Sequence, residues 1–227
     1  MGTQNLTFTV SMPLLPETRP MPASRITAMK ITKTVTGNWW QSREIRPYLI
    51  ESISHFNEAR VYSRKNDEIG RCESIRKGLN ILRTGLNDDL YDDAFFDSRP
   101  DFLWQPIEWL FDHSSNRLAV YGTLRPGESN HRVIEHIPGE WSSGFVHGYV
   151  EEYYGFPFFV WDAEADKIPV EVLSSSELCN SWEMIDRFEG RWYDRILVPV
   201  CDSDDDVLFI ANIYCKSSRT CHPQNGS

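Results

Sequence analysis

The chain reads Tyr121-Gly122-Thr123-Leu124-Arg125-Pro126-Gly127-Glu128-Ser129-Asn130-His131 directly after a short apolar run, Leu118-Ala119-Val120. The apolar run predicts a strand, and the glycine and proline residues predict a turn at its end. A turn of this kind presents backbone N–H groups without a partner, which can bind a carboxylate, a carbonyl oxygen or an oxyanion. The alternative is an ordinary turn without a ligand, because the sequence lacks the glycine patterns of nucleotide-binding loops.

A second informative segment combines a predicted helix, near 175–187, with a carboxylate at its end. Leu178, Trp182, Ile185 and Glu189 follow one another in steps of four, three and four, so all four share one helical face. The spacing therefore places Glu189 on the apolar side of the helix. The alternative is that the helix ends earlier and that Glu189 caps a turn or pairs with Arg195.

The residues next to Glu189 in the sequence predict a raised pKa for its carboxyl group. Phe188 and Trp192 are close in sequence, and an apolar environment disfavours the charged form of a carboxyl group. The pKa of Glu189 should therefore rise, which suits proton transfer near neutral pH.

Composition excludes several classes of function. The 227 residues are 41% hydrophobic and carry a net charge of −10, which argues against nucleic acid or an anionic membrane as a partner. No apolar run is long enough to span a bilayer, and the first 30 residues contain no signal-peptide core. Five scattered cysteines without a CxxC pair are typical of reduced thiols in a cytoplasmic protein. The histidines show no metal-ligand spacing, so we expect neither a metal nor another cofactor.

The chain divides into four predicted parts. Residues 1–23 form a Pro-rich, poorly ordered lead, and residues 24–116 form a mainly helical region of unknown role, with a strand within 24–37 and helices at 44–60 and 70–86. Residues 117–216 form a second domain, and residues 217–227 a flexible tail. Short strands are predicted in the second domain near 117–121, 144–151, 156–161, 168–173, 194–201 and 207–215.

Two shorter patterns bear on local structure. Ser174 and Glu177 form a capping-box pattern at the start of the helix predicted near 175–187. The acidic run 202–206 imitates the start of a calcium loop, but it lacks the central glycine and the terminal glutamate. A solvated hairpin turn is the preferred interpretation of this run.

The loop that begins at Tyr121 and the segment that contains Glu189 resemble the γ-glutamylcyclotransferase-like (AIG2-like) family. Within this family, the chain looks most like the bacterial and γ-glutamylamine cyclotransferase branch. The loop after 118–120 resembles the family's Tyr-Gly-[Ser/Thr]-Leu loop, and 156–160 its Tyr-Pro-containing strand. The segment 182–195 resembles the family signature Leu-Asp-x-Phe-Glu-Gly followed by Tyr-x-Arg, and 211–214 the closing strand with its tyrosine. The resemblance covers about 117–216. The family's glycine before a strand glutamate is absent here, where Pro169-Val170-Glu171 stands, and residues 1–116 match nothing in the family.

The resemblance implies an α+β fold: a small mixed β-barrel with one main helix, here preceded by a mostly helical N-terminal region. It implies an enzyme without a metal or another cofactor that releases 5-oxoproline from a γ-glutamyl amine or peptide. Glu189 would be the catalytic acid and base. The substrate would be bound by the loop residues Tyr121, Gly122, Thr123, Leu124 and Arg125, and by Tyr193, Arg195 and Tyr214.

The alternative hypothesis is a catalytically silent module. In that case the domain binds a ligand or a protein without turning it over, and residues 24–116 dock a protein partner. The presence of Glu189 favours the enzyme, because the loss of this carboxylate would be expected in an inactive member.

Overall fold

A computed structural model describes residues 39–86, 107–108, 110–153 and 155–217. The predicted Pro-rich lead and the strand within 24–37 lie outside these residues, as does nearly all of the predicted tail. The domain boundaries stay a prediction.

Two antiparallel helices precede the barrel, as the sequence predicts. Helix α1 spans Arg46–Arg64 and helix α2 spans Glu68–Leu86. Pro47 lies in the first turn of α1, where its missing N–H costs nothing. Asn66 adopts a left-handed conformation between the helices, and Asp67 accepts a hydrogen bond from the N–H of Gly70 at 2.9 Å. The Asp67 side chain therefore caps the start of the second helix.

The two helices approach closely because three glycines of α2 face aromatic rings of α1. A Cβ atom added to Gly70 would lie 2.7 Å from the ring of Tyr62, and one added to Gly85 would lie 2.5 Å from the side chain of Tyr48. Gly78 is in similarly close contact with the fully buried ring of Phe56. Each ring thus fills a notch that a larger side chain would close.

Six strands follow the helices. They are β1 Arg117–Val120, β2 Glu140–Tyr153, β3 Phe156–Trp161, β4 Lys167–Ser174, β5 Tyr193–Cys201 and β6 Val207–Lys216. They form a mixed sheet of order β3-β2-β4-β1-β6-β5, and a further pairing of β2 with β5, at Phe145 and Cys201, closes five of them into a barrel. Strand β3 extends the sheet as a neighbour of β2 alone, and β1 runs parallel to β6. The mixed barrel confirms the predicted fold class.

The main helix of the barrel domain, α3, spans Leu178–Glu189. The predicted capping box is wrong. Ser174 is the last residue of β4 and pairs with Arg117 of β1, so its backbone belongs to the sheet. Ser175 caps the turn instead, since its Oγ accepts a hydrogen bond from the N–H of Glu177 at 3.1 Å. The helix therefore begins later and extends further than the prediction of 175–187.

The acidic run between β5 and β6 is a hairpin turn, as predicted. The Asp202 carboxylate accepts hydrogen bonds from the N–H groups of Asp204 and Asp206 at 2.9 and 3.0 Å. A side chain that binds its own following backbone in this way stabilises a turn without an ion.

The helices pack against strands β5 and β6 through one shared hydrophobic cluster. Ile53 and Phe56 of α1 belong to the same buried cluster as Leu197 of β5 and Ile210 of β6. The side-chain amide of Asn57 adds two polar contacts, because its Nδ2 donates to the Leu197 carbonyl at 2.9 Å and its Oδ1 accepts from the Leu197 N–H at 2.7 Å. Asn57 thus occupies the place of a further strand beside β5. Among the helices that the structure describes, none is long and apolar enough to cross a membrane.

Candidate active site

The loop at residues 121–124, which we call the β1 loop, is held through its carbonyl groups. The Gly122 carbonyl accepts hydrogen bonds from the N–H and the Nε of Arg125, each at 3.2 Å. The Thr123 carbonyl accepts one from the N–H of Asn130 at 3.0 Å. In a trans peptide the N–H points away from the carbonyl, so these contacts orient the N–H groups of Thr123 and Leu124 as well.

The N–H groups of the β1 loop remain available to a ligand. Across the described part of the chain, no group accepts a hydrogen bond from the N–H of Gly122, Thr123 or Leu124. Asn130 supports the loop a second time, because its Nδ2 donates to the Thr123 hydroxyl oxygen at 2.9 Å. The loop therefore presents N–H donors on a supported backbone, as an anion or oxyanion site requires.

Glu189 is the last residue of α3. Leu178, Trp182 and Ile185 are buried along the same helix, and Glu189 is partly buried, so the predicted face is confirmed. The helix stops at the next residue because Gly190 adopts φ 67° and ψ −156°, a conformation that is largely restricted to glycine. The chain therefore turns away directly after the carboxylate.

A single cavity of about 580 Å³ joins the β1 loop to Glu189. This volume lies within the range of roughly 300–1,000 Å³ that is usual for small-ligand sites. Seven of the nine predicted site residues line the cavity: Tyr121, Gly122, Thr123, Leu124, Glu189, Tyr193 and Tyr214. Glu189 and the β1 loop thus line the same cavity.

The environment of Glu189 favours its neutral form. Burial, together with the negative charge of Asp186, raises the pKa of Glu189 from 4.5 to about 7. The predicted partners contribute less to this burial than expected, because Phe188 and Trp192 are 45% and 44% exposed. The carboxyl group is therefore able to accept and return a proton near neutral pH.

The structure does not bring Arg195 into the cavity lining. Its guanidinium makes two hydrogen bonds to the Asp186 carboxylate, at 2.9 and 3.0 Å, and lies 4.1 Å from the ring centre of Trp182. Asp186 also accepts a hydrogen bond from the Tyr214 hydroxyl at 2.5 Å. Arg195 therefore pairs with Asp186, and Glu189 has no ion-pair partner among the described residues.

Arg125 is the other predicted site residue outside the cavity lining. Besides its bonds to the Gly122 carbonyl, it forms an exposed ion pair with Glu128 at 3.3 Å. Arg125 thus stabilises the β1 loop from outside the cavity lining.

Two tyrosines attach the edge strand β3 to the site. The hydroxyl groups of Tyr121 and Tyr193 both donate to the Pro157 carbonyl, at 3.4 and 2.9 Å. The Tyr121 hydroxyl also accepts a hydrogen bond from the N–H of Phe159 at 3.0 Å. Burial raises the pKa of Tyr193 to about 12, with a further contribution from Glu189. Both tyrosines therefore remain neutral and form part of the cavity wall.

Several lining residues were not among the predicted site residues. They include Ser129 and Asn130 from the loop beyond Gly127, Phe156, Pro157 and Phe158 from β3, and Phe188 and Trp192 beside Glu189. The Pro-containing strand was recognised by resemblance, but nothing in its own sequence showed which face it turns to the cavity.

One further cluster has ligand atoms at metal-binding separation. The side chains of His147, Cys201 and Asp205 each offer one atom, and these atoms lie within 4.8 Å of one another. A cation is already present there, because Arg46 donates to the Asp205 carboxylate at 2.6 Å and approaches His147 Nε2 at 3.1 Å. Arg46 lowers the pKa of Asp205 to about 2 through this hydrogen bond. The cluster thus joins α1 to the turn between β5 and β6 by an ionic bridge.

Comparison with known proteins finds a matching family model for the second half of the chain. Residues 118–226 match the family model described as gamma-glutamyl cyclotransferase, AIG2-like. No curated protein matches.

Solved structures with a similar fold include three from different organisms. An uncharacterized protein from Pyrococcus horikoshii is 25% identical over 45% of this chain and 78% of its own, with a TM-score of 0.35. YkqA from Bacillus subtilis is 30% identical over 45% of this chain and 36% of its own, with a TM-score of 0.37. An AIG2-like protein from Mus musculus is 19% identical over 45% of this chain and 78% of its own, with a TM-score of 0.36.

Proposed function

Because residues 118–226 match the gamma-glutamyl cyclotransferase, AIG2-like family model, we propose that this protein releases 5-oxoproline from a γ-glutamyl amine or peptide. The observation that carries the proposal is the shared cavity of Glu189 and the β1 loop. One supplies a group that exchanges protons near neutral pH, and the other supplies N–H donors. An intramolecular acyl transfer needs both.

The reaction forms one C–N bond and breaks another. The α-amine nitrogen of the γ-glutamyl group attacks its own γ-carbonyl carbon, and a five-membered ring forms. The bond between that carbon and the departing nitrogen then breaks. Because the attack is intramolecular, the protein contributes chiefly by holding a reactive conformer.

Glu189 carries the proton between the two nitrogens. Its carboxylate takes a proton from the attacking amine, and the resulting acid gives a proton to the departing nitrogen. A pKa of about 7 suits both steps at neutral pH, since neither form is strongly disfavoured.

The β1 loop binds the glutamyl group and the oxyanion that develops on the γ-carbonyl. The N–H groups of Gly122, Thr123 and Leu124 are the donors that we assign to this task. A preorganised donor of this kind is typically worth about 3 kcal/mol in the transition state. Tyr121, Tyr193 and Tyr214 form the cavity walls, while Arg125 and Arg195 act on the loop and on Asp186 from outside the cavity.

Substitution of the carboxylate tests the proposal. Glu189→Gln keeps the size of the side chain but removes its ability to accept a proton. We expect 5-oxoproline release from a panel of γ-glutamyl compounds to fall by about 10²- to 10⁴-fold. The measurement is chromatographic quantification of 5-oxoproline.

A matched control lies on the same helix. Glu183 is exposed, pairs with Arg187 at 2.7 Å and does not line the cavity. Glu183→Gln should therefore retain full activity. Equal turnover by the Glu189→Gln variant and the wild type would contradict the role given to Glu189.

The alternative, a catalytically silent module whose residues 24–116 dock a partner, stays a hypothesis. It predicts ligand binding without turnover by the wild-type protein and no difference between wild type and Glu189→Gln. The cavity-facing carboxylate favours the enzyme, because a module that only binds has no need for a buried acid. A cytoplasmic location likewise stays a prediction.

A further inference from the structure

Three exposed aromatic side chains lie at the open end of the cavity and have no part in the proposed chemistry. Phe156, Phe188 and Trp192 line the cavity, yet they are 62%, 45% and 44% exposed. Side chains that both line a cavity and face solvent mark its opening. Clustered exposed rings are unfavourable in water and often mark a binding site for an apolar group.

The described lining of the cavity contains no positively charged side chain. Among the lining residues that the structure describes, Glu189 is the only charged one. A departing group with a carboxylate, such as an amino acid, would add a further negative charge to those of Glu189 and the α-carboxylate of the glutamyl group, and no cation among the described lining residues would compensate it. Amino-acid leaving groups are therefore disfavoured.

A positively charged departing group is disfavoured for a different reason. The Arg191 guanidinium lies 5.3 Å from the ring centre of Trp192, so one cation already occupies this ring. A cationic ligand would therefore have to compete with Arg191 for this ring. Arg191 itself is exposed and outside the cavity lining, where an ion pair with a ligand carboxylate contributes little.

We propose that the rings of Phe156, Phe188 and Trp192 bind the amine that departs, and that this amine carries an aromatic ring and no charged group. The inference rests on the proposed function, because it assigns the leaving-group side of the same site. Stacking or edge contacts with a flat ring cover the exposed aromatic surface. The departing nitrogen takes its proton from Glu189, as in the reaction above.

Three synthetic substrates separate the contributions of ring and charge. γ-Glutamyl-phenethylamide carries the ring alone, γ-glutamyl-phenylalanine differs from it by one carboxylate, and γ-glutamyl-ethylamide lacks the ring. We expect kcat/KM for 5-oxoproline release to be at least tenfold higher for the phenethylamide than for either of the others. A fourth compound, γ-glutamyl-1,4-diaminobutane, tests a cationic amine and should also be at least tenfold poorer.

Substitutions at the cavity opening test whether its aromatic rings cause the preference for an aromatic amine. In Trp192→Leu and Phe156→Leu, the ratio of kcat/KM for the phenethylamide over the ethylamide should fall at least fivefold. Met184→Ala is the control, because Met184 is a partly exposed residue of α3 outside the cavity lining, and this ratio should stay unchanged.

The outcomes distinguish the two proposals. If γ-glutamyl-phenylalanine or the diaminobutane conjugate is turned over as well as the phenethylamide, the inference is wrong and the proposed function stands. If the ratio does not change in Trp192→Leu and Phe156→Leu, the aromatic opening does not select the amine. If none of the four compounds releases 5-oxoproline while another γ-glutamyl compound of the panel does, the inference fails and the proposed function stands. If no compound of the panel does, both fail.

Discussion

Glu189 occupies a position that costs the folded protein stability. Its carboxyl group is buried, lies near Asp186 and ends a helix, and the negative end of the helix dipole adds to the penalty for a carboxylate there. A residue that stabilises the fold would not be placed in this way. The arrangement is typical of sites where activity is favoured over stability.

The raised pKa of Glu189 predicts a stability that falls with pH. Below pH 4.5 the group is protonated in both states, and above about pH 7 it is ionised in both. Between these values only the unfolded chain releases the proton, so the free energy of unfolding decreases as pH rises. We expect Glu189→Gln to escape this decrease and to gain about 2–3 kcal/mol on the wild type between pH 5 and pH 8.

Urea denaturation of both proteins at the two pH values measures this difference. Glu183→Gln is again the control, because the Glu183 side chain is largely accessible to solvent on the same helix and should follow the wild type. Parallel pH profiles for wild type and Glu189→Gln would show that the carboxyl group is not buried in solution.

The position of Glu189 on the apolar side of its helix could be predicted from the sequence, because a helical face depends only on residues that are close in the chain. Positions 178, 182, 185 and 189 follow one period, and no distant contact is needed to relate them. The arginines are different, because the partner of a long charged side chain depends on tertiary contacts. Arg195 contacts Asp186 of α3 from a neighbouring strand, and nothing in the local sequence indicates this pairing. The prediction of a capping box at Ser174 was wrong for the same reason, because Ser174 pairs with Arg117 in the sheet.

At the scale of the helices, Gly78 is a position where alanine should destabilise. In an exposed helix interior, Gly→Ala usually stabilises by about 1 kcal/mol. Here a methyl group would overlap the ring of Phe56, which is fully buried and has little room to move. We expect Gly78→Ala to lower the free energy of unfolding by about 1–3 kcal/mol, the usual cost of overpacking.

Chemical denaturation followed by far-UV circular dichroism measures this change. A double variant, Gly78→Ala with Phe56→Leu, removes the ring edge and should recover part of the loss. A stabilised Gly78→Ala variant would show that the helices are further apart than the structure indicates.

The elements were predictable because alternation and helical periods are short-range patterns. The predicted strands all correspond to strands of the barrel domain, and the largest error is at β2, predicted at 144–151 and observed at Glu140–Tyr153. Its ends are extended by pairing with β4 on one side and β3 on the other. The closure of the barrel through Phe145 and Cys201 was implied only by the family resemblance, since local sequence does not encode such a contact.

At the scale of the whole molecule, Asn57 joins the helices to the barrel. It is buried, and its amide satisfies both the N–H and the carbonyl of Leu197. Asn57→Ala would leave these two backbone groups without partners, at a cost of about 1–3 kcal/mol for each group that stays dry. We expect a loss of stability of about 2–4 kcal/mol.

The same experiment tests whether the helices and the barrel unfold together. Because Ile53 and Phe56 share a core with Leu197 and Ile210, helical circular dichroism and tryptophan fluorescence should give one denaturation midpoint, shifted equally in Asn57→Ala. The control is Ser54→Ala, an exposed change on the same helix, which should leave the midpoint nearly unchanged. Two separate midpoints would indicate that the helices fold independently of the barrel.

The pairing of Asn57 with Leu197 also bears on solubility. A strand edge with unpaired N–H and carbonyl groups can recruit a strand from another molecule and start aggregation. Strand β5 meets β2 only at Phe145 and Cys201, and α1 covers its edge at Leu197 with a side chain that ends the hydrogen-bond ladder. The helices therefore cover part of a strand edge that could otherwise pair with another molecule, which gives them a structural role even if they bind no partner.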